Sequence, residues 1–162
     1  MAHSAKDEQL IKQILTYAKT IAMVGVSSIK KEETSTNIKR RPSVIVMKYL
    51  LEFGYRVIPV NPSSVGQKIH EETVVAKLED ITIPIDIVNV FRPSIEAPLL
   101  AKQAVKIGAK VLWLQFGIQN QEAQQIVKLA NITYIANRCI KQEYQRLFFK
   151  VNPVFPALIQ TD

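Results

Sequence analysis

Five short, strongly apolar segments recur along the chain at fairly even spacing. Most of them are nearly continuous apolar runs, which is the pattern of strands covered on both faces. Each interval between them is long enough to hold a helix, and alternating strands and helices predict right-handed βαβ units around a mostly parallel sheet. The five predicted strands are residues 21–26, 55–60, 85–90, 110–114 and 132–136.

Capping residues and glycines predict where the helices begin and end. Ser4, with Asp7 three residues later, resembles a capping box at the start of a first helix. Pro42 suits a first helical position, and Gly54 suits the left-handed position that closes this second helix. Three more helices are predicted over residues 94–107, after Asn120 and over 141–150. We therefore expect a Rossmann-like, doubly wound α/β fold, with five parallel strands and helices on both faces in three layers.

Length and composition bound the class of protein. The chain has 162 residues, so we expect one domain over residues 1–162, with its core at about 20–140 and the terminal helices packed on it. No apolar run approaches the roughly 18 residues of a membrane span, and no apolar signal core follows Met1, so a cytoplasmic protein is expected. A single cysteine, Cys139, excludes an intramolecular disulfide and a cysteine-cluster metal site.

The net charge is +7, from 21 basic and 14 acidic residues. Such a balance indicates an anionic partner, which is nucleic acid, a membrane surface or a phosphorylated cofactor. A nucleic-acid binder needs basic residues spread over a face with exposed aromatic side chains. Here five basic residues instead lie close together after the first strand, as a solvated face or as ligand contacts: Lys30, Lys31, Lys39, Arg40 and Arg41.

Ligands of such sheets bind at the carboxyl ends of the strands, near the point where the strand order reverses. Gly25 ends the first strand, where a glycine either closes the strand or lets the backbone approach a phosphate. Only one glycine of a G-x-G-x-x-G fingerprint is present. The helix that begins near Pro42 and Ser43 offers unpaired N–H groups to a pyrophosphate.

The later loops weaken an NAD-binding interpretation. An NAD-binding domain usually places Asp or Glu after the second strand to hold the ribose, and this chain has Asn61 and Pro62 there. NADP is less excluded, since nearby serines and cations suit its additional phosphate. After the third strand, Phe91 can flank an adenine and Arg92 can pair with a phosphate, or the two simply begin a helix.

Catalytic groups are scarce. His3 and His70 have no nucleophile or metal-ligand partner at a recognisable spacing, and no general acid–base pair is evident. Cys139 is either a small buried residue or a thiol that exchanges with a thiol ligand. The sequence therefore gives no positive indication of an enzyme.

Taken together, the segments resemble the small stand-alone CoA-binding proteins, relatives of the CoA-binding domain of the succinyl-CoA synthetase alpha subunit. The matching segments are IAMVGVSS (21–28), RRPSVIVMKYLLEFGYRVIPVNP (40–62), IDIVNVFRPS (85–94), GAKVLWLQFGI (108–118) and NRC (137–139). The chain departs from the family in its longer, charged loop at residues 29–39. It also has Asn137 where the family commonly has Asp.

The resemblance implies a Rossmann-like domain that binds coenzyme A, free or acylated, without a ligase reaction. The implied phosphate-binding residues are Gly25, Val26, Ser27 and Ser28, with Arg41 and Ser43 at the helix start. The implied adenosine-flanking residues are Val60, Asn61 and Pro62, and the opposite wall is Phe91, Arg92 and Pro93.

The expected partner is therefore a small molecule, with no specific nucleic acid and no membrane. The apolar tail at residues 151–162 is a candidate contact with a second copy or another protein. The alternative function is an NADP-linked oxidoreductase or a redox-sensing nucleotide-binding protein.

Overall fold

A computed structural model of the chain describes residues 4–26 and 42–149. The helices are α1 (Ala5–Tyr17), α2 (Pro42–Glu52), α3 (Ala97–Lys106), α4 (Gln121–Leu129) and α5 (Ile140–Tyr144). The strands are β1 (Thr20–Val24), β2 (Arg56–Val60), β3 (Lys68–Ile69), β4 (Glu72–Thr73), β5 (Ile87–Val90), β6 (Val111–Leu114) and β7 (Thr133–Ile135). Short 3₁₀ turns lie at Pro62–Ser64, Leu78–Asp80 and Ser94–Glu96, and a wider π-type segment, Gln145–Phe149, continues α5.

Five parallel strands form the main sheet in the order β2-β1-β5-β6-β7. All five predicted strands are present, and the predicted Rossmann-like α/β fold is confirmed. Val24 of β1 pairs with Val60 of β2 and with Val90 of β5, so these three strands end level with one another. The small antiparallel pair β3–β4 was not predicted, because two residues per strand leave no readable periodicity.

Two apolar layers cover the sheet because successive side chains of a strand point to opposite faces. Ile21 and Met23 of β1 pack in the layer with α1, α2 and α5, whereas Ala22 and Val24 pack in the layer with α3 and α4. Helices α3 and α4 approach the sheet through small residues. Those buried there are Ala97, Ala101 and Ala104 of α3 and Ala123 of α4.

The predicted helix starts are confirmed at two caps. The Ser4 hydroxyl accepts a hydrogen bond from Asp7 N at 3.0 Å, and Asn120 Oδ1 accepts one from Ala123 N at 2.9 Å. These bonds satisfy amide groups that the first helical turn leaves unpaired. Within residues 4–26 and 42–149, no helix has the length and apolar character to cross a membrane.

The amino ends of the central strands are joined by one carboxylate. Asp86, just before β5, accepts hydrogen bonds at Oδ2 from Lys19 N at 2.8 Å and from Thr20 N at 3.2 Å. Its Oδ1 lies 3.3 Å from Lys110 Nζ, beside the start of β6. Burial opposes ionisation, but these hydrogen bonds and the Lys110 ammonium outweigh it and lower the pKa of Asp86.

We predict that Asp86→Asn lowers the free energy of unfolding by about 1–2 kcal/mol at pH 7, because charge-assisted hydrogen bonds are lost. The native fold favours the carboxylate. Its contribution is therefore complete above the unfolded-chain pKa of about 3.9 and disappears as the pH falls through the lower native pKa. Urea unfolding at a series of pH values should show the two proteins converging below about pH 4.

Asp80→Asn is the control, since Asp80 is an exposed carboxylate at the end of a 3₁₀ turn. It should leave stability nearly unchanged across the same range. A difference between Asp86→Asn and the unmodified chain that persists undiminished at low pH would contradict the assignment.

Candidate functional site

A cleft of about 340 Å³ opens at the carboxyl ends of β1, β2 and β5. Strand β1 lies between β2 and β5, so the chain leaves β1 to one side for β2 and later returns on the other side as β5. This is the switch point at which open α/β sheets bind their ligands. The floor of the cleft includes Val24 and Val60, and one wall is the exposed side of α3 with Leu99 and Gln103.

The structure brings five of the predicted site residues together around this cleft. They are Gly25, Val60, Asn61, Pro62 and Arg92.

Four other predicted residues do not line it. Val26 is fully buried in the layer beside α1, α2 and α5, and Phe91 packs against that same layer. Ser43 is buried in the first turn of α2, and Pro93 is exposed just before a 3₁₀ turn. The remaining predicted residues, Ser27, Ser28 and Arg41, and the charged loop 29–41 lie outside the described residues.

Gly25 lies at the point where the loops of three strands meet. Its N–H donates to Val60 O at 2.8 Å, which links the ends of β1 and β2. Its φ of +94° is in the region that favours glycine. A Cβ at this position would lie 2.8 Å from both Phe91 O and Arg92 Cδ. The residue must therefore be glycine for two reasons, the backbone conformation and the contact with the loop after β5.

Both polar groups of the Asn61 side chain are occupied by the backbone. Asn61 Oδ1 accepts from Ser63 N at 2.9 Å, and Asn61 Nδ2 donates to Val26 O at 3.0 Å. Its main-chain N–H donates to Val75 O at 2.9 Å. Asn61 therefore helps to fix the shape of the loops around the cleft, and its side chain is already oriented by the backbone.

Arg92 crosses the cleft beside Gly25 and forms an ion pair with Glu96. Its Nε lies 3.1 Å and its Nη2 lies 2.6 Å from Glu96 Oε2, a two-point contact between residues four apart in the chain. Hydrogen bonding to Glu96 raises the pKa of Arg92. Both side chains remain more than 40% exposed, so a ligand can reach them.

Several lining residues were not predicted from the sequence. Glu96, Leu99, Leu100 and Gln103 form the wall of the cleft on the α3 side, and Lys77 lies at the cleft close to the loop after β2. The spacing of Arg92 and Glu96, four residues apart at a helix start, is a signal for their pairing that the sequence contains. For Lys77 we find no such signal, because its position depends on how the chain folds back after β4.

The loops after β6 and β7 meet through Asn137. Its φ is +59°, and its Oδ1 accepts a hydrogen bond from Gly117 N at 2.7 Å. Asparagine tolerates this left-handed conformation and supplies an acceptor oxygen, as an aspartate would. Cys139 is half-buried and packs against the core, and thiol exchange there stays a prediction. The described residues contain no group of three His, Cys, Asp or Glu side chains placed to hold a metal ion.

Comparison with known proteins identifies the family. A model of the CoA binding domain matches residues 19–145, from just before β1 to just past the end of α5. The chain belongs to the CoA-binding domain family. This match spans all five strands of the sheet and every residue named above at the cleft, and it confirms the resemblance drawn from the sequence.

Similar proteins match this chain over most of their own length. The Bacillus subtilis protein YneT is 40% identical over 134 residues, which cover 81% of this chain and 89% of YneT. The solved structure of a Thermus thermophilus protein is 36% identical with a TM-score of 0.76, covering 87% of this chain and 98% of that one. A Pyrococcus horikoshii protein is 35% identical with a TM-score of 0.76, covering 91% of this chain and 99% of that one.

We predict that Gly25→Ala destabilises the protein more than Gly54→Ala does. The two glycines have nearly the same φ, +94° and +95°, but a Cβ at Gly54 meets nothing within 4 Å. Gly54→Ala should therefore cost about 1–2 kcal/mol of backbone strain. Gly25→Ala should cost about 1–3 kcal/mol more, from the forced displacement of the loop after β5.

Urea unfolding of the two variants measures this difference directly. Equal losses of unfolding free energy would mean that the loop after β5 moves away from Gly25 at no cost.

Proposed function

We propose that this chain binds coenzyme A, free or as an acyl thioester, with its adenosine part in the cleft and its pyrophosphate near Gly25. The observation that carries the proposal is the position of the cleft in a CoA-binding domain, at the switch point between β1 and β5. A cleft of about 340 Å³ is at the lower end of the size of ligand pockets, which suits one part of a long ligand.

The turn at Gly25 supports phosphate binding on steric grounds. Because Gly25 has no side chain, the aliphatic stem of Arg92 packs directly against it, and this contact holds the Arg92 side chain beside the turn. A guanidinium donates through five N–H groups, and Glu96 engages only Nε and Nη2 of Arg92. Nη1 is thus the group we assign to a ligand phosphate oxygen.

The loop after β2 favours coenzyme A over NAD. An acidic side chain normally receives the ribose hydroxyls of NAD at this position. Here the position is taken by Asn61, whose amide is already bonded to Ser63 N and to Val26 O. Coenzyme A carries a phosphate on the 3′ oxygen of its ribose, so an acid at that place would repel it.

Calorimetric titration of the purified full chain with coenzyme A, acetyl-CoA and NADPH tests the proposal. We expect saturable binding of the first two compounds, and weaker or undetectable binding of NADPH. A clear preference for NADPH would favour the oxidoreductase or redox-sensor alternative instead. No response to coenzyme A at millimolar concentration would contradict the proposal.

We predict that Arg92→Ala weakens coenzyme A binding by about tenfold, because one charge-assisted phosphate contact is lost. Arg56→Ala is the matched control. Arg56 is also an exposed arginine beside a glutamate, but it begins β2 at the opposite edge of the sheet.

The two variants remove the same charge, so any general electrostatic effect on an anionic ligand is common to both. If calorimetry shows that both substitutions weaken coenzyme A binding equally, Arg92 does not contact the ligand.

A further inference from the structure

Among the residues that the structure describes, three charged side chains line the cleft, and two of them neutralise each other. Arg92 and Glu96 form a close two-point ion pair. The third, Lys77, is exposed and forms no ion pair within residues 4–26 and 42–149. Among the described residues that line the cleft, the excess positive charge is therefore that of Lys77. Glu79 interacts with Lys77 electrostatically but forms its ion pair with Lys106.

The main chain around Lys77 is firmly positioned although its side chain is exposed. Two residues before it, Val75 donates its N–H to Pro59 O at 3.0 Å and forms a parallel bridge with Val60 of β2. One residue after it, Leu78 is fully buried in the layer beside α3. Lys77 O also accepts from Asp80 N at 3.0 Å. The ammonium group is thus presented from a fixed backbone.

The same bridges give the separation between Gly25 and the segment that precedes Lys77. Gly25 is hydrogen-bonded to Val60, and Val60 is bridged on its other side by Val75. Neighbouring strands lie about 4.8 Å apart, so the segment leading to Lys77 lies about 10 Å from Gly25 across the sheet edge. A ribose with phosphates on its 5′ and 3′ oxygens spans this gap when its 5′-phosphate lies at Gly25. The Lys77 side chain then extends over the cleft toward the 3′-phosphate.

We propose that Lys77 recognises the 3′-phosphate of the ligand, so that the cleft distinguishes coenzyme A from 3′-dephospho-CoA. The proposal rests on the proposed function and adds a specificity-determining residue to it. A phosphate monoester carries a charge of about −1.5 to −2 near neutral pH, and a lysine ammonium binds it as a compact point charge.

Parallel calorimetric titrations of the full chain with coenzyme A and with 3′-dephospho-CoA test this proposal. We expect the unmodified protein to bind coenzyme A about tenfold more tightly than 3′-dephospho-CoA, the value of one charge-assisted contact. In Lys77→Ala this ratio should fall to about twofold or less, with the affinity for 3′-dephospho-CoA unchanged. Lys77→Arg should retain most of the preference, since it keeps the charge at the same backbone position.

Lys128→Ala is the matched control, because it removes an equal charge from an exposed lysine of α4 that does not line the cleft. It should leave the ratio of the two affinities unchanged. If Lys77→Ala weakens both ligands equally, or if the unmodified protein binds both equally, the role of Lys77 is overturned while coenzyme A binding stands. If neither compound binds, the proposed function itself fails.

Discussion

The carboxyl edge of the sheet depends on the close contact between Gly25 and the loop after β5. Parallel pairing brings β1, β2 and β5 to the same level, and the loops that follow them must share the space above their ends. The ladder continues past β5, because Phe91 N donates to Val24 O at 2.8 Å. This bond draws Phe91 O to a position where no side chain fits on Gly25. Because Gly25 has no side chain, Arg92 can pass directly beside it and form part of the cleft wall.

The opposite edge of the sheet is held together by polar bonds. Asp86 uses one carboxylate to join the backbone before β1 to the lysine before β6. The carboxyl edge carries an open cleft between its loops, whereas the amino edge is closed by a partly buried charge. The two ends of the same strands are thus held by different interactions.

The sheet could be predicted from the sequence because its strands are covered on both faces. Every residue of β5 and β6 is buried, which produces nearly continuous apolar runs, interrupted in β5 by the buried Asn89. The predicted ends of the strands were less accurate, and burial is again the reason. Ile85 is buried but precedes the first ladder residue, Ile87, so burial alone does not mark where hydrogen bonding begins. The wider π-type turns after Tyr144 likewise depend on packing around the aromatic side chains there, not on local propensity.

The candidate site could be predicted only in part. Its location follows from topology, and Gly25 and Arg92 are at the expected loops. Val26 and Phe91 pack instead on the other side of the sheet from the cleft wall. Alternation explains Phe91, which follows Val90 by one residue and therefore faces away from α3. Val26 is two residues from Val24, and the positive φ of Gly25 between them interrupts the extended backbone and its alternation. Lys77 comes from a segment without periodicity, so its approach to the cleft arises only from the tertiary fold.

The net charge of +7 says less about the ligand than the pairing of individual charges does. Several basic side chains have structural acidic partners: Lys106 with Glu79, Lys110 with Asp86, and Arg146 with Glu8 and Glu143. Even Arg92, beside the glycine turn, is compensated by Glu96. A ligand phosphate responds to the field left after such pairing. Among the described residues that line the cleft, this remaining field originates at Lys77, so the placement of one lysine matters more there than the net charge of the whole chain.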